Sequence, residues 1–111
     1  MSIRFSIERQ DMPMPGVRRI WGAAFHKQKP TPFYMTISPV FIALSTSPNK
    51  EGRKLIAHFT RILGEPTLRY HDRHEGIDDY TAEWHLTTDR EAIIQRILNH
   101  MALGFKPETL P

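Results

Sequence analysis

At 111 residues and without a single cysteine, the chain has room for one domain and no means of making a disulfide or a thiolate metal site. Its 15 lysines and arginines stand against 12 acids, a formal charge of +3 that permits nucleic acid or an acidic protein surface as partner without demanding either. The longest wholly apolar run, residues 40–44, is far too short to span a membrane, and residues 1–5 lack the apolar block of a signal peptide, so a soluble, cytoplasmic protein is expected.

Ile3, Phe5 and Ile7 alternate with Arg4, Ser6 and Glu8, which is the period of a half-buried strand. Asp11-Met12-Pro13-Met14-Pro15-Gly16 reads as a loop, because its prolines remove donors from any ladder. Residues 17–27 put Trp21, Ala23 and Phe25 on one parity and Ile20 and Ala24 on the other. That pattern predicts a strand buried on much of both faces, with a short helix as the alternative. Lys27-Gln28-Lys29-Pro30-Thr31-Pro32 reads as a basic, proline-rich turn. Residues 33–37 and 40–45 read as strands, and Ser38-Pro39 between them marks an edge, a bulge or a sharp corner.

A first helix is expected to begin near Ser47-Pro48, a cap residue followed by proline. Leu55, Ile56, Phe59, Ile62 and Leu63 fall within one arc of its wheel, Gly64 closes it and Pro66 prevents its continuation. Opposite that arc lie Lys50, Arg53, Lys54 and Arg61, with His58 at the margin and Glu51 to one side. Residues 67–72 then pair with a strand in which Tyr80, Ala82, Trp84 and Leu86 alternate with Thr81, Glu83 and His85. Setting Tyr70 opposite Ala82 would put Leu68 and Tyr70 on the face of Ala82 and Trp84, and Arg69 opposite Glu83. Thr88-Asp89-Arg90-Glu91 has the form of a capping box. Ile93, Ile94, Ile97, Leu98 and Met101 follow at helical spacing, with Gly104 at the stop and an irregular tail over 105–111. These elements predict a single α+β domain over residues 1–111: an antiparallel β-sheet with two amphipathic helices packed on one face, in the order strands–helix–hairpin–helix.

Three features carry chemistry. Lys50, Arg53, Lys54, His58 and Arg61 could receive phosphates or an acidic partner, or they could simply be a solvated helix face. His71, His74 and Glu75, in the polar 71–79 turn, have the residue types of a metal or acid–base site. His85, the natural third ligand, pairs near Thr67 and so sits about 13 Å from His71 along the strand, too far to share an ion. No metal or other cofactor is therefore expected. Leu103, Phe105 and Leu110 either fold back over the domain or pack on another chain, which includes a second copy of this one.

Phe59-Thr60-Arg61-Ile62-Leu63-Gly64 resembles the helix end of the glyoxalase-like metal enzymes. A glycine after leucine at a helix stop needs only the left-handed cap, and the family's repeated module does not map onto this chain. No serine sits in a nucleophile elbow and no glycine-rich loop is present to cradle phosphate. The first expectation is thus a small non-catalytic binding protein, of adaptor or inhibitor type, docking on a macromolecular partner. A nucleic-acid-binding protein using the helix around 48–63 comes second, and a small metal-dependent or histidine-based enzyme third.

Overall fold

The computed structural model describes residues 3–101, which form a small α+β domain with a six-stranded antiparallel sheet and two helices. Strands β1 (Arg4–Met14), β2 (Val17–His26), β3 (Lys29–Ile37) and β4 (Phe41–Thr46) come first. Helix α1 (Lys50–Leu63), strands β5 (Leu68–His74) and β6 (Ile77–His85), and helix α2 (Arg90–His100) follow. The sheet order is β1-β2-β3-β4-β6-β5, so β6 lies against β4 and the edges fall to β1 and β5.

Strict alternation gives the sheet two unlike faces. In register across the strands, Ile20 meets Met35, Met35 meets Leu44, and Leu44 meets Ala82. All of these are fully buried. The next row, Ile37, Ile42 and Trp84, is buried as well. One apolar cluster joins these strand residues to Leu55, Ile56 and Phe59 of α1 and to Ile97 and Leu98 of α2. Ile62 and Ile94, expected in the core, are only partly buried and pack at its margin.

Two contacts fix this packing. The Trp84 Nε1–H donates to the Gly64 carbonyl oxygen at 2.7 Å, tying the end of α1 to β6. Gly64 has φ +89°, a backbone state that L side chains rarely adopt, and its N–H closes the helix on the Thr60 carbonyl at 2.8 Å. At the β1 edge the Phe5 ring meets Phe33 at 5.9 Å and Phe59 at 5.8 Å. This close approach of β1 depends on Gly22, where a Cβ would collide with the Ser6 carbonyl.

Several local expectations are corrected. Residues 11–14 are strand rather than loop: β1 continues to Met14, with irregular register between Asp11 and Met14. Pro13 is tolerated because β1 is an edge strand. Pro30 and Pro32 likewise belong to β3, not to a turn. β4 pairs with β3 only from Phe33 onward, so the prolines occupy a stretch with a strand on one side alone. Ser38-Pro39 is the corner between β3 and β4. The Ser38 hydroxyl oxygen accepts from the Val40 and Phe41 amides at 3.2 and 3.0 Å.

The α1 cap is Asn49, whose side chain accepts from the Gly52 amide at 2.9 Å; Ser47 comes too early. No capping box forms on α2. Asp89 takes the cap position in a left-handed conformation, φ 51°, without a side-chain cap bond. The β5–β6 pairing is shifted by one residue from the expected register: Tyr70 faces Thr81 and Arg69 faces Ala82. Leu68 and Tyr70 therefore share a face with Thr81 and Glu83, opposite the core, because a one-residue slip moves every side chain to the other side. Arg69 pairs instead with Glu65 at 3.0 Å.

Candidate functional site

Lys50, Arg53, Lys54 and Arg61 are all exposed on α1. Lys54 Nζ lies 3.9 Å from Glu51, a loose pair. Arg53 borders a cleft of about 240 Å³ between α1 and the β5–β6 pair, with Thr60, Glu65, Arg69 and Tyr80. His58 stands apart from this outer face. It is half-buried, packs on Phe59 at 5.6 Å and on Phe5 at 6.4 Å, and its Nε2 lies 2.6 Å from His100 Nε2 of α2. Such a contact requires one ring to donate and the other to accept, so at least one is neutral. Burial, then the neighbouring His100 and Arg61, pushes His58 below its ordinary value, and burial does the same to His100.

The 71–79 segment is not one turn. Glu75-Gly76 alone makes the reversal, while His71 and His74 lie on β5. Residues three apart on a strand point to opposite faces, so the two imidazoles cannot converge. Each has its own carboxylate: His71 Nε2 meets Asp78 Oδ1 at 2.5 Å, and His74 Nδ1 meets Asp72 Oδ1 at 2.9 Å. Glu75 is exposed at the turn. Among the described residues no group of three or more histidines and acids could hold a metal ion. Leu103, Phe105 and Leu110 lie outside the described residues.

The sheet face opposite the core holds side chains that no single stretch of the sequence brings together. One row crosses it from edge to edge: Arg9, Trp21, Tyr34, Ser45, Thr81 and Tyr70 stand in register on successive strands. Trp21 and Tyr34 are half-buried, with ring centroids 5.0 Å apart. The Arg9 guanidinium lies over the Trp21 ring at 4.2 Å and that of Arg19 at 5.2 Å. Arg4 covers Phe25 in the same way at 5.2 Å. Arg19 also grips Asp11 with two bonds, Nε to Oδ1 at 2.8 Å and Nη2 to Oδ2 at 2.7 Å. That grip holds the Asp11 carboxyl below the usual carboxylate range.

Protein-family models, curated proteins and solved structures all return no match to this chain.

Toward the other edge the face changes character. The Tyr70 hydroxyl donates to Glu83 Oε2 at 2.7 Å, which pushes the phenol up to about 12. His85 Nε2 reaches the other Glu83 oxygen at 3.2 Å, and the Ser45 and Thr81 hydroxyls are 2.9 Å apart. Leu68 and Tyr70 remain 48% and 42% exposed on this side, large apolar surfaces with nothing over them among the described residues. The parity of β2 was the available signal. Arg19, Trp21, Ala23 and Phe25 on one side, against Ile20, Gly22 and Ala24 on the other, contrasts a charged, aromatic face with a small, aliphatic one.

Proposed function

We propose that this chain is a small non-catalytic binding protein whose strands–helix–hairpin–helix order packs both helices against one sheet face and leaves the other to dock on a macromolecular partner. The observation that carries this reading is the row Arg9–Trp21–Tyr34–Ser45–Thr81–Tyr70, which crosses all six strands opposite the core and of which only Thr81 is buried. Tryptophan, tyrosine and arginine are the residue types that anchor interfaces, because each combines a large apolar body with a polar tip. The strands hold these rings in place, so little side-chain freedom is left to lose on docking. A pull-down from the native host, with and without nuclease, tests it. The expected result is a partner retained by the parent protein and lost by a Trp21→Ala variant that still folds. Equal capture by that variant would contradict the reading.

A second reading assigns nucleic-acid binding to the outer face of α1, supported by the exposed and aligned Lys50, Lys54 and Arg61. Reversing these charges should abolish such binding and leave the fold intact, since they lie opposite the apolar arc.

A further inference from the structure

We infer that the β1–β3 half of the open sheet face binds single-stranded nucleic acid, with bases stacked on Trp21 and Tyr34 and phosphates held by Arg4 and Arg9. This rests on the open face being the docking surface and names the chemistry of its occupant.

The face is polarised along the sheet. Arg4, Arg9 and Arg19 stand on this face of β1 and β2, and Lys27 follows Phe25 and His26 at the β2–β3 turn, whereas Lys29 pairs with His26 on the other face. Against them β1 sets Glu8 and Asp11, and Asp11 is already held by Arg19. On the far half the same face carries the acids Asp72, Asp79 and Glu83 on β5 and β6. A polyanion is drawn to the first half and repelled from the second.

Charge alone would suit an acidic peptide equally well; the rings favour nucleic acid. Trp21 and Tyr34 form a ledge at one end of the half, and Phe25 stands about 13 Å further along β2. Between them lie only Ala23 and, across from it, Pro32 of β3 and Ser6 of β1, so the space between the two aromatic rows has a low floor. Guanidinium planes already rest on the Trp21 and Phe25 rings, which shows that both rings present a face to a flat, delocalised group. A base can take the same position, or stack on the guanidinium itself. An acidic side chain offers only a small carboxylate, whose negative charge is repelled by the negative faces of these rings. A duplex has its bases stacked internally and cannot offer them either.

The test is a titration of the full chain with a fluorescein-labelled oligothymidylate of about 10 nucleotides and with the same sequence as a duplex, read by anisotropy. Intrinsic tryptophan emission is followed in parallel with the unlabelled strand. The expected result is tighter binding of the single strand and quenching that disappears in Trp21→Phe, because Trp84 is buried at 3% exposure. Trp21→Ala and Tyr34→Ala should each weaken binding roughly 5- to 150-fold. Arg4→Glu with Arg9→Glu should weaken it further and flatten a salt slope expected at about −2, for roughly three neutralised phosphates. Lys50→Glu, Lys54→Glu and Arg61→Glu together should leave affinity within about twofold.

Equal affinity for the duplex would overturn the proposal, as would binding that survives the Arg4/Arg9 reversal. Loss of binding in the α1 variant instead would move the site to that helix. No binding of the strand at low salt would overturn nucleic acid as the occupant. In that case a partner captured after nuclease treatment and lost in Trp21→Ala would keep the open face as a docking surface, whereas capture unaffected by Trp21→Ala would remove both readings.

Discussion

The two faces of the sheet are built from the same strands, one residue out of phase, and they could hardly differ more. In the middle of β2 the even positions Ile20, Gly22 and Ala24 are buried, and the odd positions Arg19, Trp21, Ala23 and Phe25 are half-buried. The first set is aliphatic and small, which suits close contact with Met35, Phe33 and β1. The second pairs rings with guanidinium groups. A strand with apolar residues on both parities is therefore not always buried on both sides. On β2 the parity that carries arginine beside an aromatic is the one turned away from the core.

The comparison breaks most visibly in the core. Phe59→Ala should cost on the order of 3–5 kcal/mol in chemical denaturation, because a fully buried ring in contact with Phe5 leaves a cavity. Trp21→Ala, on the open face, should cost only about 1 kcal/mol, the scale of a lost ring pair. Similar losses for the two would mean that both faces are core. Gly52→Ala comes next. An added methyl would collide with the Ser47 carbonyl in the entry to α1, so a loss on the order of 1–3 kcal/mol is expected.

A smaller effect should appear with pH. His58 and His100 are both held below their ordinary value of 6.5, so the unfolded chain takes up their protons more readily than the folded one. Stability from this pair is present above 6.5 and is lost as pH falls through the lowered folded values. Melting curves should decline over that interval, and His100→Gln should flatten the decline. A pH-independent difference between the two proteins would contradict it. Smaller still, reversing Lys50, Lys54 and Arg61 should change stability by no more than about 0.5 kcal/mol. Chelator should leave the melting temperature unchanged, since His71 and His74 point to opposite faces of β5; a large drop would overturn that account.

Much of the core was legible because its periods are strong. Phe59, Trp84 and Ile97 are buried where the sequence patterns put them, and Gly64 stops α1 as its position suggests. What could not be read depended on single residues with two outcomes. Glu75-Gly76 reverses the chain in two residues, which shifts β5 by one and sends Tyr70 to the open face. Asn49 caps α1 although Ser47-Pro48 offers a plausible start, because it is the Asn49 side chain that reaches the Gly52 amide in the first turn, where Gly52 packs against the Ser47 carbonyl. The aromatic and arginine row was hidden for a different reason. Its members lie on six strands far apart in sequence, and only the strand order brings them into line.

The chain carries one tryptophan for each face, and this permits a direct measurement. Acrylamide and iodide quenching can be compared in Trp84→Phe, which keeps Trp21, and Trp21→Phe, which keeps Trp84. Trp84 is 3% exposed and bonded to the Gly64 carbonyl, whereas Trp21 stands half-buried beneath Arg9 and Arg19. The account predicts that Trp21 is readily quenched, by iodide above all because arginines surround it, and that Trp84 is almost untouched. Equal quenching of the two, or a shielded Trp21, would contradict the claim that one sheet face is core and the other is free to bind.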